Sequence, residues 1–216
     1  MIHSQIAVNL SPISDFSSYA QHCLQEEFPV SEIECSKEHI EHMNFAKITM
    51  QNTLFQNCIF RDCSFENASL TNIVFQNCDL SNSNFTGSYF NRCQFLSCKC
   101  IGVDMNDSIF KQTDFKESNL MYATFNKAKI TDVAFDHIDF TESSMAETKL
   151  KRFTAIHSKF SRNNFFKTLL SGMDFTENEL IAPIVSSPPN ELKGIQINMF
   201  QAADLMSLWG IHVKYQ

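Results

Sequence analysis

From Ile40 to Leu180 every fifth residue is apolar or small, and that regularity excludes most folds open to a chain of 216 residues. The series runs Ile40, Phe45, Met50, Phe55, Phe60, Phe65, Leu70 and onward to Phe175 and Leu180; 16 of its 29 slots hold Phe. The residue two places earlier is small or apolar, as in Cys58, Cys63, Ala68, Ile73, Cys78 and Ser83. Between Glu41 and Leu180 stand 16 acidic and 14 basic residues, and none of these 30 occupies either slot. A period of five fits neither a helix at 3.6 nor a strand at 2. Two inward and three outward residues per pentad require the backbone to turn a corner once per pentad. Four corners close a square coil of twenty residues, and coils stack through parallel ladders about 4.8 Å apart. Gly and Pro, 5 each, are too few for a meander of tight hairpins, and Asn is common instead.

Pentads such as Cys78-Asp79-Leu80-Ser81-Asn82, Ser83-Asn84-Phe85-Thr86-Gly87 and Ala123-Thr124-Phe125-Asn126-Lys127 resemble those of the pentapeptide-repeat family over about two thirds of the chain. The resemblance implies an all-β fold, a right-handed quadrilateral parallel β-helix, here with a C-terminal α-helix. Twenty-nine slots make about seven coils, a rod roughly 35 Å long. One column reads Phe55, Phe75, Phe95, Phe115, Phe135, Ala155, Phe175, and its gap coincides with Phe153 in the small slot just before, a volume swap within one coil. Small-slot Ser, Thr and Cys fit beside a bulky ring and can bond adjacent backbone. The excess of Phe (21, against 4 Tyr and 1 Trp) follows, because Tyr or Trp would bury an OH or NH without a partner.

The expected organisation is an N-terminal cap or extension over 1–37, the β-helix over 38–182, and a linker, helix and short strand over 183–216. Residues 1–37 read as out of frame, with one short helix marked by Phe16, Tyr19, Ala20 and Cys23. Pro183, Pro188 and Pro189 read as the end of the ladder, since proline cannot donate to it. Asn198 caps a helix expected from about Met199 to Leu208, Gly210 stops it, and residues 211–215 alternate like a strand. Solenoid ends need caps. Phe200, Leu205, Leu208, Trp209, Ile211 and Val213 are too apolar for a solvated cap, which points to packing on the last coil, on a second subunit, or both.

Leu192-Lys193-Gly194-Ile195, Gln201-Ala202, Leu205, Leu208 and Gly210-Ile211-His212-Val213 resemble the carboxyl end of the Qnr quinolone-resistance proteins. That resemblance implies a homodimer joined end to end through the C-terminal helix. It also implies a rod that mimics duplex DNA, binds DNA gyrase and topoisomerase IV, and protects them from fluoroquinolones. Gram-negative Qnr proteins interrupt the rod with two projecting loops. Here no residue is inserted between Ile40 and Leu180, as in the loop-less Qnr-like proteins of Gram-positive bacteria.

The net charge of -7 argues against gripping phosphate backbones, so no direct nucleic-acid binding is expected. Most of it lies outside the rod, which is only -2 between residues 41 and 180 (14 minus 16). Sorted by column, the face of Phe55 and Phe75 nets -4, with Asp114, Glu117, Asp136, Asp174 and Glu177. The face of Phe60 and Leu80 nets -2, with Asp79, Asp139 and Glu142; the face of Phe65 and Phe85 nets -1; the face of Leu70 and Phe90 nets +5, with Lys149, Lys151 and Arg152. Two adjacent acidic faces either fit a groove built for phosphates or merely solvate the rod. Leu96, Ile101, Met121 and Tyr122, beside Asp104 and Asp107, form a mid-rod cluster that either anchors a partner or is ordinary scattered surface.

Other chemistry finds little support. The stacked Cys58, Cys78 and Cys98, and Cys100 beside them, lie in inward slots and read as buried and inert. His137 and His157 lie one coil apart but lack a third ligand in this reading, so no metal, cofactor or catalytic residue is expected. The apolar runs are too short for a membrane helix. No basic-then-apolar leader follows Met1, so the expected location is cytoplasmic, with the 8 Cys reduced. The function expected is that of an interaction protein, either Qnr-like or a scaffold for an unrelated partner; nothing supports an enzyme.

Overall fold

Each corner of the coil is made by the residue two places after the central one. In the computed structural model, which describes residues 9–214, that residue is left-handed in every pentad from Glu27 to Gly172, with φ of 55° at Asn57, 54° at Asn77 and 56° at His137. Left-handed backbone costs an ordinary L-residue roughly 1–2 kcal/mol. Asn tolerates it better than most, and six of the corners between residues 52 and 82 are Asn. The corner N–H groups donate to the next coil, as from Asn57 to the Gln76 carbonyl and from Asn77 to the Leu96 carbonyl, both at 2.9 Å. These ladder bonds offset the local strain.

Register is constant. Every pairing from Val30↔Met50 to Asn164↔Ile184 is parallel and offset by twenty, with no loop interrupting the rod. Two adjacent faces carry one ten-stranded parallel sheet, including the eight-residue strands Thr49–Gln56, Ser69–Gln76, Ile109–Lys116, Lys129–Asp136 and Lys149–Ile156, each bent over a corner. The other two faces are joined largely by single bridges, such as Ser64↔Asn84 and Asn84↔Asp104.

The rod is longer than the sequence reading has it, about nine turns rather than seven. Val30 and Cys35 already fill central slots, and Ser11–Ile13 pairs beyond them with Ile33–Cys35 at an offset of 22. Glu38 hides this first coil, because it is a charge in a small slot; burial pushes its carboxyl up. At the other end Pro183 does not stop the ladder. It stands buried in the small slot before Val185, Ile184 still donates to the Asn163 carbonyl at 2.8 Å, and Asp174 pairs with Gln196.

Inside, rings stack coil on coil. Phe55, Phe75, Phe95 and Phe115 lie face to face at centroid spacings of 5.2, 5.2 and 4.5 Å. Phe135 then turns edge-on to Phe115, at 72°, and takes the edge of Phe153 at 5.0 Å, filling the room left by Ala155. Small-slot hydroxyls donate to the central carbonyl of the coil below: Ser83 to Phe60 at 2.6 Å, Ser88 to Phe65 at 2.7 Å, Ser108 to Phe85 at 2.8 Å. The thiols of Cys78 and Cys98 sit in the same relation to Phe55 and Phe75.

Both ends are capped. Helix α1, Phe16–Gln25, starts on Asp15, whose carboxylate accepts from the Ser18 N–H at 3.0 Å. Fully buried Phe16 plugs the first coils, its ring 4.9 Å from Phe55 and 5.7 Å from Phe45 and Phe60. At the far end helix α2, Met199–Leu205, has a capping box between Asn198 and Gln201. It tightens into a 3₁₀ turn at Met206–Trp209, and Gly210 ends it at φ 70°. The Gln201 amide donates to the carbonyls of Phe175 and Asn178 at 2.9 and 2.7 Å, satisfying the last coil. Residues 211–214 form no strand, contrary to their alternation, since no strand edge pairs with them; Tyr215 lies outside the described residues.

Candidate partner-binding surface

The outward carboxylates singled out in the sequence project from the rod at fixed intervals, but much of their charge is compensated locally. Asp79 takes Arg61 at 2.7 Å and Lys99 at 3.7 Å; Asp139 lies 3.9 Å from Lys159; Glu142 pairs with Arg162. Lys116 stands 3.9 Å from both Glu117 and Asp136. Burial opposes ionisation of Asp79, yet hydrogen bonds from Ser81 and Arg61 hold its carboxyl below the usual range. Asp104 accepts from the Asn106 N–H at 2.9 Å, just before the corner of the same pentad, where Asp107 is exposed. Asp114 stands on the -4 face beside Thr113 of the same strand. The exposed pairs among these contribute little to stability, but all of them lower the net field of the acidic faces.

In the mid-rod cluster Tyr122 is exposed, whereas Leu96, Ile101 and Met121 are half-buried. The Gly102 N–H donates to the Met121 carbonyl at 2.9 Å, which places Ile101 and Met121 on successive coils, as the column reading expects.

The C-terminal end divides in a way the sequence does not announce. Leu205 is only 3% exposed and packs on this chain's own core, with Leu208 half-buried beside it. Leu205 thus belongs to the cap of this chain's own core. Phe200 at 72%, Met199 at 78%, Trp209, Ile211 and Val213 remain exposed and form an apolar end.

The eight cysteines are free and buried. Burial pushes the Cys93 and Cys98 thiols up to about 12, which suits packing and not redox or nucleophilic chemistry. His137 and His157 do touch, with ring centroids 4.8 Å apart. Asp136, which the sequence does not single out for this pair, stands beside them, its Oδ1 2.6 Å from His137 Nδ1. Among the described residues no helix is long and apolar enough to cross a membrane.

Comparison with known proteins follows the same lines. A family profile described as pentapeptide repeat region matches residues 68–136 and 88–165, and one described as pentapeptide repeats (8 copies) matches 42–77. No curated protein matches the chain. Among solved structures, a trypsin-treated form of QnrB1, a plasmid-mediated fluoroquinolone resistance protein, is 21% identical with a TM-score of 0.54, covering 87% of this chain and 100% of that one. Full-length QnrB1 is 19% identical with a TM-score of 0.55, covering 93% and 95%. HetL, a pentapeptide repeat protein involved in heterocyst differentiation regulation in the cyanobacterium Nostoc sp. strain PCC 7120, is 10% identical with a TM-score of 0.53, covering 82% and 92%. These likenesses establish the fold.

Proposed function

We propose that this chain, which belongs to the pentapeptide-repeat family, is a cytoplasmic, non-enzymatic interaction protein that binds DNA gyrase or topoisomerase IV as a DNA-shaped rod and shields the enzyme from fluoroquinolones. The observation that carries the reading is the likeness to full-length QnrB1 over 93% of this chain and 95% of that one, together with the Qnr-like tail. Two adjacent faces rich in carboxylates supply the complement to a groove built for phosphates. Asp79, Asp114, Glu117, Asp136, Asp139 and Glu142 lie on them, Asp104 and Asp107 on the neighbouring face, and Leu96, Ile101, Met121 and Tyr122 offer an apolar anchor among them. Because loops are absent, protection on this reading comes from the rod itself. The test is binding of the purified chain to purified gyrase in competition with linear duplex DNA. Binding that DNA displaces supports the reading, and binding indifferent to DNA contradicts it.

Dimerisation belongs to the same proposal. The exposed end of Met199, Phe200, Trp209, Ile211 and Val213 would meet its copy in a second rod, doubling the length. Phe200→Glu is expected to give a monomer, since Phe200 faces outward and leaves the cap intact. An unchanged mass by light scattering contradicts the end-to-end arrangement.

A second reading, a scaffold for an unrelated partner, is favoured by the ion pairing of Asp79, Glu117, Asp136, Asp139 and Glu142 within the rod, and by the TM-score of 0.53 to HetL, close to that to QnrB1. Recovery of an unrelated protein and no gyrase subunit on the immobilised chain would decide for it.

A further inference from the structure

One corner of the square, read along the rod, carries Glu117, His137, His157 and Glu177 on successive coils. Glu117, His137 and His157 all have left-handed φ, 51°, 56° and 50°, so the ladder sets their spacing. The two imidazoles are half-exposed and tilted at 47° to each other with centroids 4.8 Å apart. Asp136, Oδ1 bonded to His137 Nδ1 at 2.6 Å, completes a trio whose ligand atoms all lie within 4.8 Å of one another. Glu177 Oε2 lies 3.9 Å from His157 Nε2.

We propose that His137, His157 and Asp136 bind a divalent transition-metal ion of the zinc type on the surface of the rod, with Glu177 closing the fourth position. Bonds of about 2.0–2.2 Å place tetrahedral donors roughly 3.3 Å apart. The His137, His157 and Glu177 side chains are more than half exposed, which leaves them room to close to that spacing. Two imidazoles with carboxylates select zinc, cobalt or nickel; magnesium and calcium take all-oxygen shells. Lys116, 3.9 Å from Asp136, is the cation now occupying part of this field, and Glu117 adds a negative charge at the next coil. The bound ion would sit on the face that nets -4 and remove part of its negative charge. The site does not depend on the identity of any partner.

Zinc titration of the chelator-treated full chain by calorimetry tests this, with cobalt absorption as a second readout. The expected result is one ion per chain and visible bands of tetrahedral cobalt. His137→Asn, His157→Asn and Asp136→Asn are each expected to weaken zinc binding by at least about tenfold, the loss that even an outer-shell partner of a ligand can cause. Asn is chosen at the histidines because it accepts the left-handed corner. His212→Asn is expected to leave binding unchanged. Unaltered zinc binding in the His137→Asn, His157→Asn double variant overturns the proposal, as does the absence of zinc binding in the unmodified chain. Ring-proton NMR of the unmodified chain gives an answer that does not rest on variants folding. Zinc should shift the signals of two of the 7 histidines, and a shift shared by all or none contradicts the site.

Discussion

Phe95→Ala is expected to destabilise the rod by about 3–5 kcal/mol. Phe95 is fully buried, stacked on Phe75 at 5.2 Å and on Phe115 at 4.5 Å with only 3° between the latter planes, and tilted against Phe90. The neighbours cannot collapse into the space, because parallel pairings on coils above and below fix their backbones. A cavity therefore remains and its lining loses contacts on both sides. In a solenoid each coil contacts only its neighbours, so a weakened middle coil also reduces cooperativity. Urea melts read both quantities, the midpoint and the slope. A loss under about 1 kcal/mol would mean that the ring is not part of the stacked column.

Glu191→Ala is expected to cost about 2–3 kcal/mol, from donors left without an acceptor. The Glu191 side chain is buried at the C-terminal cap, where it accepts from the Ser186 hydroxyl at 2.7 Å, the Ser186 N–H at 3.1 Å and the Lys167 N–H at 2.8 Å. Burial alone would raise its pKa, but these hydrogen bonds outweigh it and hold the carboxyl below the ordinary 4.5. A depressed folded-state pKa stabilises the native state above the unfolded value and ceases to do so as pH falls through the folded one. The gap between the parent chain and Glu191→Ala should thus be full at neutral pH and narrow below about pH 4.5. Melts at pH 7 and pH 4 measure it, and a gap that widens on acidification contradicts the assignment.

The frame between Ile40 and Leu180 was legible because burial in this fold repeats at fixed sequence intervals, so a charge in an inward slot is visible as an exception. Glu38 shows the limit. One exception at the edge of the frame concealed a whole coil whose central residues, Val30 and Cys35, were apolar all along. The prolines misled for a related reason: Pro183 lacks an N–H, but its inward position places no demand on one from the ladder. On the surface, the proximity of His137 and His157 follows from spacing alone. The approach of Asp136 depends on how the corner at His137 turns the preceding side chain, which no spacing rule encodes. Leu205 and Phe200 are both apolar on one short helix. The helical period makes 201 and 205 share the inner face, and the contacts of Gln201 with Phe175 and Asn178 identify that face as the one against the rod.

The central claim is protection of a type II topoisomerase, and the supercoiling reaction of purified gyrase poisoned by ciprofloxacin tests it most directly. Titrating the purified chain into that reaction should restore supercoiled product over a window of concentration, with inhibition returning at excess as the rod competes with DNA. Failure to restore supercoiling at any concentration, by a chain shown to be folded, would contradict the account.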